Sequence, residues 1–97
     1  QAAPSPVVEL NRAVAVGMAQ GPAAALELVD RLAAEPALAH YHWLPSVRAD
    51  LLAKLDRPNE AAAEFDRAAA LTRNVREREL LQARANAERA RDGGRRT

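Results

Sequence analysis

The sequence predicts an all-α fold: two helical hairpins built to one plan, closed by a fifth helix. Three observations predict it. The composition is rich in alanine and leucine and holds only three aromatics, Tyr41, Trp43 and Phe65, which favours helix over strand. Ala61, Phe65 and Ala68 recur at helical spacing behind Pro58, with Glu64 and Arg67 on the opposite side. Finally, the chain matches itself at a shift of 36 positions: Arg12-Ala13 falls on Arg48-Ala49, Pro22 on Pro58 and Ala25 on Ala61. In the same register Asp30-Arg31-x-Ala33-Ala34 falls on Asp66-Arg67-x-Ala69-Ala70. Alanine matches carry little weight in so alanine-rich a chain. The proline and the charged pairs, all in one register, carry more.

Each element has its own signal. Ser5-Pro6 reads as an N-cap and first helical position, with Glu9 in the first turn, and opens a helix running to about Met18. Gly21-Pro22 is a turn, and Pro22 starts a second helix with Ala25, Leu28, Val29 and Leu32 on one face. Glu35-Pro36 ends it. After a short connector, a third helix begins near Tyr41 or His42 and tolerates Pro45 because it lies in the first turn. Its apolar face is Leu44, Val47, Leu51 and Leu55, with Leu52 beside it. Asp56-Arg57 turns the chain into a fourth helix, from Pro58 to about Thr72, whose first turn carries acceptors at Asn59 and Glu60. Asn74 with Glu77 three residues on predicts a capping box for a fifth helix, charged and with a thin apolar stripe of Leu80, Leu81, Ala83 and Ala87. Residues 1–91 read as one helical-repeat domain, and Asp92–Thr97, with two glycines and nothing apolar, as a tail that frays. The abrupt start at Pro4-Ser5-Pro6 reads as a piece of a longer protein.

A period near 34 residues with two helices per unit is that of tetratricopeptide repeats. The segment resembles that family: Ala49, Ala61, Phe65 and Ala68 stand where its helix-packing signature needs them. It departs from the family at Arg48, where the pattern takes Leu, and at Asp56, where a Gly usually turns the chain. No Pro closes the repeat after Leu71. The resemblance implies a tetratricopeptide-like right-handed α-solenoid of two hairpins, with the fifth helix as the polar terminal element such arrays need. It also implies a peptide-binding groove lined by the first helix of each hairpin. In this chain that face would show Val7, Leu10, Val14 and Met18, and then Trp43, Ser46, Asp50 and Lys54. A row of exposed Val, Leu and Met requires a cover, either a neighbouring domain or a partner segment. The alternative is a register one position off, in which these residues are ordinary core.

Composition bounds the function. Ninety-seven residues make one domain near the lower size limit of a self-sufficient core. The net charge of +1 gives no electrostatic case for nucleic acid, and the absence of cysteine excludes disulfides, thiolate metal sites and cysteine nucleophiles. No apolar run approaches a membrane span and no secretion pattern opens the chain, so a soluble, cytoplasmic module is expected. His40 and His42 lie two apart and cannot share a helix face as metal ligands would; two histidines at a helix start is the better account. No Gly-rich phosphate loop, nucleophile–base pair or carboxylate cluster is present, and Gly93-Gly94 precedes no helix. The expectation is no enzyme, no cofactor and no metal.

Arg12 and Arg48 occupy equivalent places where a buried apolar residue is usual. A guanidinium there must be paired or reach water. It either anchors a partner's carboxylate or carbonyl, or pairs internally with an acid such as Glu9, Glu60 or Glu64, and the internal reading is favoured. Arg84, Arg89, Arg91, Arg95 and Arg96 crowd the end of the chain, but Glu77, Glu79, Glu88 and Asp92 interleave with them. With no aromatic for base stacking, a solvated helix laced with i, i+3 and i, i+4 pairs is expected.

Longer phrases narrow the family. Ser5-Pro6-Val7-Val8-Glu9-Leu10-Asn11-Arg12-Ala13-Val14-Ala15-Val16 is followed by Gly21-Pro22-Ala23-Ala24-Ala25-Leu26. Then come Tyr41-His42-Trp43-Leu44 and Arg48-Ala49-Asp50-Leu51-Leu52. In order and spacing they resemble the C-terminal, tetratricopeptide-like extension of a group of bacterial extracytoplasmic-function (ECF) RNA polymerase sigma factors, from about Pro4 to Arg89. The resemblance implies a regulatory domain that contacts the sigma domains, core polymerase or a regulator, without touching nucleic acid or membrane itself. A free-standing peptide-binding adaptor is the alternative. The partner-binding residues expected on these readings are Leu10, Asn11, Arg12, Val14, Met18, Trp43, Arg48, Asp50 and Lys54.

Overall fold

A computed structural model describes residues 6–96, so Ser5, the expected N-cap, and Thr97 lie outside the described residues. Five α-helices follow one another: α1 (Pro6–Gln20), α2 (Pro22–Leu32), α3 (Trp43–Lys54), α4 (Pro58–Leu71) and α5 (Val75–Arg96). Among the described residues there is no strand. α1 runs one half-turn beyond Met18. α2 stops at Leu32, short of the expected Glu35-Pro36, and Pro36–Leu38 forms a separate 3₁₀ turn that buries Leu38. α5 is helical through Gly93-Gly94 to Arg96.

The junctions show why the helices stop where they do. Gly21 sits at φ 101°, a left-handed conformation that costs glycine little, and Pro22 then enters α2 with φ preset and no N–H to leave unpaired. Pro58 enters α4 the same way. α3 ends without a glycine. Asp56 takes φ 61° in its place, the Asp56 N–H donates to Ala53 O at 3.1 Å and the Arg57 N–H to Leu52 O at 3.0 Å. That is the left-handed helix stop usually given to glycine. At α5 the Glu77 N–H donates to Asn74 Oδ1 at 2.9 Å, as expected for a cap. The reciprocal half is different: the Asn74 N–H donates to Thr72 Oγ1 at 3.2 Å, and the Glu77 carboxylate accepts from Thr72 Oγ1 at 2.5 Å.

Substantial helix–helix contact is between consecutive helices, broadest for α4 on α5 and slimmest for α2 on α3. The molecule is accordingly long and thin, 54 × 32 × 19 Å. Phe65 is the largest fully buried side chain, packed within a core that includes Leu10, Val29, Leu52 and the alanines 25, 49, 61 and 68. Truncating Phe65 to Ala would cost about 3–5 kcal/mol, by the usual transfer and cavity contributions. Leu44, Val47, Ala49, Leu51 and Leu52 are all buried on α3 because that helix is covered from more than one side. On α5 the expected stripe is corrected: Leu80, Ala83 and Ala87 are exposed, whereas Leu81 and Ala85 are buried. Half-buried Arg78 and Glu88 continue the line of Leu81 and Ala85 at helical spacing.

Candidate interaction groove

α1, α3 and α5 share one concave face. Trp43, Val47, Asp50, Leu51 and Lys54 recur at i, i+3 and i, i+4 along α3 and form its floor. Val14, Gly17 and Met18 of α1, with Pro22, make one wall, and Glu77, Leu80, Leu81 and Arg84 of α5 make the other. The groove is partly open to solvent and its volume is about 310 Å³. Gly17 lets α1 lie close: a Cβ there would stand 2.8 Å from the Ala25 Cβ and 3.7 Å from Leu51 Cδ2.

α5 is held against α3, α4 and the turn between them by polar and charged side chains. His42 Nε2 lies 2.8 Å from Glu77 Oε1 at the start of both helices, and Arg84 reaches Asp50 further along, so α3 and α5 run in the same direction. Arg89 pairs with Asp66, and Arg91 with Asp56 at 3.1 Å, tying α5 to α4 and to the turn before it. Arg78 donates to the Thr72 carbonyl at 3.1 Å. The expected lacing of the terminal arginines is therefore largely between helices, with Arg91–Glu88 as an i, i+3 pair.

Of the nine residues expected to bind a partner, the structure brings five together in the groove: Val14, Met18, Trp43, Asp50 and Lys54. Met18 is 87% exposed and Trp43 42%, large apolar side chains left facing outward. Four lie elsewhere. Leu10 is fully buried, which corrects its assignment to the groove: it lies on the same helical line as Val14 and Gly17, one turn nearer the N-terminus, and belongs to the core there. Asn11 and Arg12 are exposed off the groove, with Arg12 3.5 Å from Glu9. Arg48 turns away to Asp30 at 2.7 Å and Glu64 at 3.4 Å. Burial works against its charge, but the Asp30 hydrogen bond and the two carboxylates outweigh it and hold its pKa above the ordinary value. Arg48 is thus paired internally, in part with Glu64 as the sequence suggested; Asp30 is its closer partner.

Sequence reasoning missed the α5 wall. A signal for it exists: Arg84-Ala85 stands 36 residues beyond Arg48-Ala49, as that pair stands beyond Arg12-Ala13. Ala13, Ala49 and Ala85 are all buried, at 1%, 0% and 0% exposure.

Among the described residues, no group of three or more His, Asp or Glu side chains is placed to hold a metal ion, and no helix is long and apolar enough to cross a membrane. No family model matches the chain, and no solved structure matches it. The chain is 49% identical over 74 residues, 76% of its length, to an uncharacterized protein of Rhizobium meliloti (strain 1021). Those residues span 17% of that protein.

Proposed function

We propose that this chain is the tetratricopeptide-like regulatory domain of an ECF-type RNA polymerase sigma factor, acting in the cytoplasm through protein contacts. On this reading α1–α2 and α3–α4 are two hairpins of a right-handed α-solenoid and α5 is its terminal cap. The 36-residue step in the sequence and the three buried alanines that follow it support the repeat. The sigma-factor reading is supported by the ordered phrases from Ser5 to Leu52.

The observation that carries the functional part is the groove. Alternate helices leave Met18, Trp43 and Leu80 exposed along one concave apolar face, and a face of that kind requires a protein cover. The cover is a sigma domain, core polymerase or a regulatory segment. Transcription by the longer parent polypeptide tests this. Met18→Asp lies on a largely exposed position and leaves the fold intact, yet should lower initiation at least several-fold by placing a carboxylate on the covered face. Full activity in that variant overturns the proposal. The open groove also suits a free-standing adaptor. That reading predicts binding in trans by the isolated chain and no effect of Met18→Asp on transcription.

A further inference from the structure

The groove is electrically polarised along its length. Trp43 and Lys54 stand at opposite ends of the α3 floor, about 16 Å apart at 1.5 Å per residue. Glu77 lies at the Trp43 end, beside His42. Arg84 lies toward the Lys54 end, where it is engaged by Asp50. Among the described residues Lys54 is the charged side chain of the groove without an ion-pair partner. Between these poles the floor carries Val47 and Leu51, with Ser46 and with Asp50, whose charge is taken up by Arg84.

We propose that the groove receives an acidic amphipathic peptide segment, with a bulky apolar residue seated against Trp43 and Leu80 and a carboxylate directed to Lys54. The proposal rests on the reading of this chain as a protein-interaction domain and specifies the chemistry of the partner. An occupant that covers the floor strips water from the Lys54 ammonium, and an anion offsets that loss. A basic segment would instead set like charge against Lys54 and Arg84. Glu77 at the other end fixes direction, because it repels a carboxylate placed beside Trp43. The 16 Å span corresponds to about five residues of extended chain at 3.3 Å each.

Trp43 is the chain's single tryptophan, so occupancy can be read without a label. The 97-residue chain is used to select from a displayed library of random dodecapeptides, in parallel with Lys54→Glu and Trp43→Ala, both checked for native helicity. The expected wild-type consensus pairs a bulky apolar residue with Asp or Glu a few positions away. A synthetic consensus peptide should shift Trp43 fluorescence, and Lys54→Glu should weaken it about tenfold, or about 1.4 kcal/mol. Lys54→Glu should itself select Lys or Arg at the acidic position, and Trp43→Ala should enrich no such consensus. The proposal is overturned if no acidic position is selected, if Lys54→Glu returns the wild-type consensus, or if nothing is enriched. Should Met18→Asp impair transcription while the library selects nothing acidic, only the peptide chemistry falls. Should the library behave as expected while Met18→Asp leaves transcription intact, the sigma-factor reading falls and the peptide chemistry stands.

Discussion

The guanidinium of Arg84 lies 4.4 Å from the centre of the Phe65 ring. One side chain of α5 thereby roofs the largest core residue of α4 while its end reaches Asp50 on α3. A cation over an aromatic face and a half-exposed ion pair both depend on it.

Arg84→Ala should therefore lower stability by about 1–2 kcal/mol, most of it from the ring contact, since exposed ion pairs contribute little. Arg84→Lys keeps the charge and loses the planar overlay, so it should recover less than half. Urea unfolding of the three proteins checks this, and equal midpoints for Arg84→Ala and wild type would refute the roof.

Gly17→Ala pits two effects against each other. Alanine is the better helix former by about 1 kcal/mol, but its Cβ would stand 2.8 Å from that of Ala25. Overpacking of a helix crossing costs about 1–3 kcal/mol, so the variant should be less stable despite its helix propensity. Adding Ala25→Gly should return part of the loss, which a double-mutant cycle reads as favourable coupling. A higher melting temperature for Gly17→Ala alone would show that α1 and α2 do not cross so closely.

Glu64 is buried and held by Arg48 at 3.4 Å and Arg67 at 3.3 Å. Arg48→Ala leaves that carboxylate with one exposed partner and leaves Asp30 unpaired, at a cost of about 1–3 kcal/mol for a part-buried site. Replacing both members, Arg48→Met with Glu64→Leu, removes the stranded charge and should restore most of the loss. If the double variant is no more stable than Arg48→Ala, the cost comes from packing and not from charge.

The Arg57 side chain donates two hydrogen bonds to Glu60, at 2.6 and 2.7 Å, and these hold the Glu60 pKa below its ordinary value of 4.5. A depressed folded pKa means the pair stabilises the fold above the unfolded value and loses that contribution as pH falls through the folded one. Glu60→Gln should thus be slightly less stable than wild type near neutral pH and equal to it in acid. Both partners face water, so the gap should be small and should narrow with salt. A gap that widened on acidification would contradict the sign.

The helices were readable because their starts carry Pro22, Pro58 and Asn74, whose chemistry acts locally. The α3 floor was readable as well, since Trp43, Asp50 and Lys54 follow one helical line. Leu10 was misplaced because on α1 apolar residues lie nearly all round, and periodicity then fails to tell wall from core. The α5 face was misread for the opposite reason. Its inward line mixes buried Leu81 and Ala85 with half-buried Arg78 and Glu88, and exposed alanines at 83 and 87 mimic a stripe. Asp30 as the nearer partner of Arg48 depends on how α2 meets α3, which local spacing does not encode.

The slim seam between α2 and α3 has a mechanical consequence. Val14 and Met18 stand on one side of it, Leu80 and Arg84 on the other. Rocking at that seam would change the jaw width, as the pivot of a pair of callipers does, while α1 on α2 and α3 on α4 keep their own packing. The gauge of side chain that the jaws can grip would then follow the slimmest joint between consecutive α-helices, and substitutions at that joint should retune it without touching the jaws.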